Sequence, residues 1–135
     1  MKVVHLVLSN SFAGIEQHVN ELLTNINNID TILVCNESIA KNFNSNISTI
    51  TIKNFGRRSF LGKYKLKKLI NKISPDIVHT HGSKTTSIIK SINNTAYKHV
   101  ATVHGIKKNS KVYESADFVI GVSKNALSGI KTQKK

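Results

Sequence analysis

Two histidine-glycine pairs close apolar runs in this chain, Ile77-Val78-His79-Thr80-His81-Gly82 and Val100-Ala101-Thr102-Val103-His104-Gly105. An imidazole titrates near neutrality, so it can exchange a proton or donate a hydrogen bond to charge developing on a leaving group. In a parallel sheet the strands are short continuous apolar runs, and ligands bind beyond their carboxyl ends. Two strands delivering His-Gly at that edge line one crevice. His79 and His81, two apart on an extended strand, point to one side as metal ligands would, and His104 could join them in space. No Cys, Asp or Glu stands close enough in sequence to complete a zinc set. The reading therefore expects no metal and no other cofactor.

The elements that must hold these residues alternate regularly. Val3–Leu8 reads as a buried strand, and the polar turn Ser9–Gly14 leads into an amphipathic helix from Ile15, with Val19, Leu22, Leu23 and Ile26 on one face. Thr31–Cys35 and Ile47–Ile52 read as strands two and three, and Asn54–Ser59 as a basic loop. Phe60, Leu61, Tyr64, Leu69, Ile70 and Ile73 follow as a helical stripe closed by Ser74-Pro75. Asp76–His79 is strand four, Lys84–Ile92 a helix, His99–Val103 strand five, Val112–Ala116 a helical turn and Phe118–Val122 strand six. Ser123 is placed to cap a last helix that fades into Lys131–Lys135. Strands separated by helices mean right-handed βαβ units: an α/β, Rossmann-like three-layer sandwich with a mostly parallel sheet of about six strands.

Composition narrows the function. The 135 residues make one modest domain, small for a complete two-substrate enzyme. The single cysteine, Cys35, excludes an internal disulfide and fits a reducing compartment. No run approaches the roughly 20 apolar residues of a membrane span, so a cytoplasmic location is expected.

The net charge of +13 is unevenly spread. Residues 1–37 carry −3, residues 76–135 carry +7, and residues 38–75 carry nine cations with no carboxylate. Such a block implies an anionic partner unless AT-rich coding alone enriched the lysines. Arg57, Arg58, Lys63, Lys67 and Lys68 form the expected membrane or anion patch. The loop Phe55–Leu61 is expected to present an aromatic outward, while the helix stripe packs on the sheet. Juxtamembrane cations contribute about 1 kcal/mol each near an anionic leaflet, enough to hold the protein peripherally on the inner face of the membrane.

Several phosphate and partner motifs fail. No G-x-G-x-x-G follows the first strand. Gly56 through Tyr64 mimics a Walker loop, but its glycines are one residue too far apart and Tyr64 replaces the magnesium-binding Ser/Thr. Helix-turn-helix, RRM, KH and C2H2 signatures are missing, so nucleic acid is not an expected partner. A receiver domain would need acidic clusters where the chain has Ser9-Asn10-Ser11 and His79-Thr80-His81. A non-catalytic basic α/β module that binds an anionic membrane or nucleic acid remains as the alternative.

Four motifs in order resemble the amino-terminal domain of GT-B glycosyltransferases of the large, mostly retaining, family 4-like group. They are Phe12-Ala13-Gly14-Ile15-Glu16-Gln17-His18-Val19, Pro75–Gly82, Val100–Gly105 and Ala116–Ser123, and together they cover nearly the whole chain. Ala13 departs from the glycine usual in the first loop. The resemblance implies a domain that helps transfer a sugar from a nucleotide-sugar to a glycan or lipid-linked acceptor, in bacterial cell-envelope polysaccharide synthesis. It also implies that residues 1–135 are the acceptor-side half, apparently truncated. Nothing here matches the donor-binding half with its Glu-x7-Glu motif, so the chain alone is expected to be inactive.

The same resemblance assigns the roles. His104 faces the reaction centre as the catalytic residue, Ala13 and Gly14 form the donor-phosphate loop, and Glu16, His81 and Gly105 contact the acceptor. Glu16 reads equally as a helix-dipole partner. His79 is expected to pack into the sheet, Ser123 is explained by capping, and His5, His18 and His99 need no functional account.

Overall fold

The computed structural model describes residues 1–92, 96–105, 111–128 and 130. Strands β1 (Lys2–Val7), β2 (Asp30–Asn36), β3 (Thr49–Ile52), β4 (Ile77–His81), β5 (Lys98–Val103) and β6 (Phe118–Gly121) alternate with helices α1 (Gly14–Asn25), α2 (Phe60–Ile73), α3 (Ser83–Ile92) and α4 (Lys124–Leu127). All five strand pairings are parallel, in the order β3-β2-β1-β4-β5-β6. The order reverses between β1 and β4, which is where an open α/β sheet leaves its ligand crevice. The expected helical turn after β5 is a 3-10 turn, Lys111–Ser115. Ser123 caps α4, its hydroxyl accepting from the Ala126 N–H at 3.2 Å. The expected fading of that helix into Lys131–Lys135 lies outside the described residues.

Register fixes which side chains share a face. Val4, Leu6, Val34 and Val78 point one way and pack under Leu66 and Ile70 of α2 and Ile88, Ile89 and Ile92 of α3. A smaller cluster of Ala101, Val103, Tyr113, Val119 and Ala126 closes the β5–β6 end. The alternate residues Val7, Leu33 and Cys35 point the other way, under Val19 and Leu23 of α1. Burying these aliphatic side chains supplies the main driving force, about 25 cal/mol per Å² of apolar surface. Cover on this second face is partial. Phe118, Ile120 and Val122 remain 40%, 39% and 49% exposed beside β5.

Two expectations are corrected. Strand β4 runs on to His81 rather than stopping at His79, because His81 pairs with Thr102 across β5. The stripe on α2 is also rotated from the one expected. Leu66 and Ile70 are buried, with Leu69 and Ile73 partly so, while Phe60, Leu61 and Tyr64 are 88%, 65% and 63% exposed. Gly62 explains the rotation, because it faces Phe55, which packs into the core from the preceding loop. Of the two aromatics in the loop Phe55–Leu61, Phe55 is thus partly buried, while Phe60 supplies the outward aromatic expected of that loop.

A Cβ at position 62 would collide with Cβ and Cγ of Phe55, atoms that cannot swing aside without moving the loop. Gly62→Ala is therefore expected to lower stability by about 1–3 kcal/mol, the usual cost of overpacking, despite alanine's better helix propensity. A denaturant midpoint at or above that of the parent chain would contradict this packing.

Candidate functional site

The crevice is built at the carboxyl edge of β1, β4 and β5. His81 ends β4, and its Nδ1 lies 3.3 Å from Nε2 of His104, just past β5. Gly82 turns the chain into α3 with φ of +89°, a left-handed value that an L side chain adopts only with strain. Its N–H donates to the Thr102 carbonyl at 3.2 Å, tying the turn to β5. Gly105 follows His104 with φ of +153°. The start of α1 closes in from the other side: His18 meets His104 edge-on at 5.1 Å between ring centroids. At the opposite end, the Asp76 carboxylate and carbonyl accept from the N–H groups of Lys2 and Lys98 at 2.8 and 3.0 Å. Residues preceding strands and residues ending them therefore lie at opposite edges, as a parallel sheet requires.

The loop expected to approach a phosphate has an open backbone. Ala13 and Gly14 are exposed, and a side chain at Gly14 would meet nothing within 4 Å. Ala13 caps α1 in an extended conformation. Glu16 is buried at 3% exposure, and both of its oxygens are engaged within the loop. One accepts from the Ser9 hydroxyl and the other from the Ala13 N–H at 2.9 Å. That is the return half of a capping box, in which a carboxylate closes a helix N-terminus and favours its dipole. In this arrangement Glu16 shapes the loop that borders the crevice.

The histidines form a larger group than the two motifs indicate. His5 of β1 sits level with His79 in the register, and its Nδ1 lies 3.1 Å from Nε2 of His81. His79 and His81 stack at 4.3 Å between centroids, and Thr102 Oγ1 holds Nε2 of His79 at 2.6 Å. Five of the six histidines thus form one chain running from β1 to α1. His99 points to the opposite face, bonded to Thr80 Oγ1 at 2.8 Å. His79 packs into the sheet as expected, whereas His5 and His18 join a group that no local pattern announces.

Burial favours the neutral form of four of these imidazoles, His5, His79, His81 and His99. Loss of hydration pushes His5 down to about 4 and His79 to about 3, the latter helped by the neighbouring histidines. His81 is lowered well below its ordinary value for the same two reasons. Burial also takes His99 to about 4, against the opposing pull of the Asp117 carboxylate.

A polar rim borders the crevice on the β2–β3 side. Asn10 Oδ1 accepts from Asn36 at 3.0 Å and from Asn54 at 2.8 Å. Lys84 Nζ donates to the Leu8 carbonyl at 3.1 Å and to Asn54 at 2.8 Å, while Arg57 donates to Ser83 at 3.1 Å. Arg57 thus reaches the start of α3, where orphan N–H groups and the helix dipole already favour an anion. Burial and the Arg57 charge lower the Lys84 ammonium. Of the expected cationic patch, Arg57 borders the crevice through Ser83, Arg58, Lys67 and Lys68 are exposed, and Lys63 is partly buried.

This sheet order, with its switch point between β1 and β4 and histidines at the carboxyl edge, defines a Rossmann-like α/β domain with a ligand crevice at the strand ends. Residues 5–125 match the glycosyl transferase 4-like family, and the chain belongs to that family. Among solved structures it resembles the apo form of the lipopolysaccharide outer core galactosyltransferase WaaB, with a TM-score of 0.66 at 17% identity. The likeness covers 93% of this chain and 40% of that one. No curated protein matches the sequence.

Proposed function

We propose that this domain is the acceptor-side half of a nucleotide-sugar-dependent hexosyltransferase, acting on a glycan or lipid-linked acceptor of the cell envelope. The observation that carries the reading is the meeting of His81 and His104 at the switch-point crevice, beside the open Ala13-Gly14 backbone. His104, half-buried at the end of β5, donates a hydrogen bond to the reacting oxygens and needs no metal to do so. His81 orients it, and a donor phosphate approaches the Ala13-Gly14 turn at the N-terminus of α1, beside the Ala13 N–H that Glu16 already holds. Gly105, beside His104 at the crevice, contacts the acceptor, and Glu16 holds the neighbouring loop in place. The resemblance to WaaB, a lipopolysaccharide outer core galactosyltransferase, supports an envelope acceptor.

The chain is expected to transfer almost nothing by itself, since the donor-binding motifs of such enzymes have no counterpart in residues 1–135. Joined to a donor-binding half of the same family, it should gain activity. In that assembly His104→Ala should lower kcat by about 10²–10³-fold, as loss of a single transition-state donor does. Efficient multi-turnover transfer by the chain alone, or full kcat in the His104→Ala assembly, overturns the assignment.

The second reading, a basic module that docks on an anionic membrane, is favoured by the exposed Phe60, Leu61 and Tyr64 among the lysines of α2. It is compatible with the first. Among the described residues no helix is long and apolar enough to cross a membrane, so any attachment made by them is at the surface.

A further inference from the structure

We infer that His5, His79 and His81 form a binding site for one borderline divalent transition metal ion, Zn2+ in the first instance, through three neutral imidazoles. One nitrogen from each ring lies within 4.8 Å of the other two. A tetrahedral ion bound at about 2.0–2.1 Å sets its ligand nitrogens roughly 3.4 Å apart. The His5–His81 pair already stands at 3.1 Å, and rotation of a side chain closes the longest separation. The three residues sit on adjacent strands in fixed register, so their backbones do not have to move for an ion to bind.

The surroundings suit the same ion. Metal-binding histidines are oriented by partners on their other ring nitrogens. Thr102 holds His79 at 2.6 Å, and His104 lies 3.3 Å from Nδ1 of His81. Ligation through His81 Nε2 therefore places its proton on Nδ1, toward His104. Burial keeps the lone pairs unprotonated near neutral pH. His5, His79 and Thr102 line a groove of about 560 Å³ on the partly covered sheet face, which gives an ion access and leaves room for a water as fourth ligand. None of the three clustered residues is a carboxylate. Imidazoles alone suit Zn2+, Co2+, Ni2+ or Cu2+ and disfavour Mg2+ and Ca2+, which take oxygen ligands. The site takes no part in the proposed sugar transfer, in which His104 acts without a metal.

The test is a titration of the full chain, stripped with a chelator, with Zn2+ by calorimetry and with Co2+ by visible absorption. One equivalent of Zn2+ should bind with micromolar or tighter affinity, and Co2+ should show the intense bands of a tetrahedral site. An excess of Mg2+ or Ca2+ should not compete. His5→Gln and His81→Gln should each weaken binding by more than the roughly 10–100-fold lost with an outer partner, and Thr102→Val by about that amount. His99→Gln, on the opposite face, should leave affinity unchanged. Absent heat and absent bands overturn the site, as does parent-like affinity in the His5 and His81 variants. If His81→Gln does not fold, His5→Gln together with metal-induced shifts of three histidine resonances in the parent chain decides the question.

Discussion

Acidification should unfold this domain cooperatively, with a midpoint between about pH 4.5 and 5.5, while the fold is indifferent to pH between 7 and 8. Four buried histidines, His5, His79, His81 and His99, have native values depressed by burial, to about 4, 3, well below normal, and about 4 respectively. In the unfolded chain each titrates near 6.5. Below pH 6.5 the unfolded state therefore binds protons that the native state refuses, so stability falls with pH. Above pH 6.5 neither state binds them and the effect vanishes.

Each pH unit costs about 1.4 kcal/mol per group, hence roughly 2 kcal/mol per histidine at pH 5. Four such groups match the 5–15 kcal/mol that typically holds a domain together. The +13 net charge could also drive acid unfolding, and salt separates the causes. Charge repulsion is screened at 0.5 M salt, whereas the burial of neutral rings is not. The midpoint followed by far-ultraviolet circular dichroism should therefore barely move with salt and should drop in His99→Gln. Native ellipticity retained at pH 4 would sink the argument.

The sheet was legible because a strand buried on both faces is dominated by apolar residues, as β1 and β2 are, and because β4 and β5 open with or contain short β-branched stretches between turn residues. The end of β4 was harder to read. The apolar run stops at Val78 and the expected strand at His79, yet Thr102 and His5 on neighbouring strands and Thr86 on α3 give the polar groups of His79, Thr80 and His81 partners that carry the strand on. The His81–His104 meeting followed from strand direction alone. His5 and His18 could not be found this way, since β1 lies beside β4 only through a strand order that joins residues 74 apart. On α2 the apolar residues suit more than one helical face. The signal that decides between them is Gly62, which spaces four from Leu66 and marks the side where Phe55 comes close.

Vesicles rich in anionic lipid should retain the chain at low salt, and two different sets of substitutions should release it for different reasons. Lys63, Lys65, Lys67 and Lys68 of α2 and Arg57 and Arg58 of the loop before it surround Phe60, Leu61 and Tyr64, which stand free of the core. Cations near an anionic leaflet contribute about 1 kcal/mol each. Changing Arg57, Arg58, Lys63 and Lys67 to glutamate turns attraction into repulsion and should weaken retention by more than about 10³-fold by the same scale. Among the described residues, Arg57 is the one of the four whose side chain makes a hydrogen bond, to Ser83, so the fold should survive, which circular dichroism checks.

The apolar residues act differently. Burying a side chain such as Phe or Leu in the headgroup boundary is worth about 1.5–3 kcal/mol, and this part is not screened. Phe60→Ser with Leu61→Ser should thus lower retention by roughly 10²-fold or more at every ionic strength, while leaving the steepness of the salt dependence unchanged. Salt should release the parent chain progressively, over the range where the screening length falls to about 10 Å and below. Equal binding to neutral vesicles removes the role of the cations. Parent-like binding by the serine variant removes the role of the exposed turn of α2 and leaves the charges as a diffuse surface field.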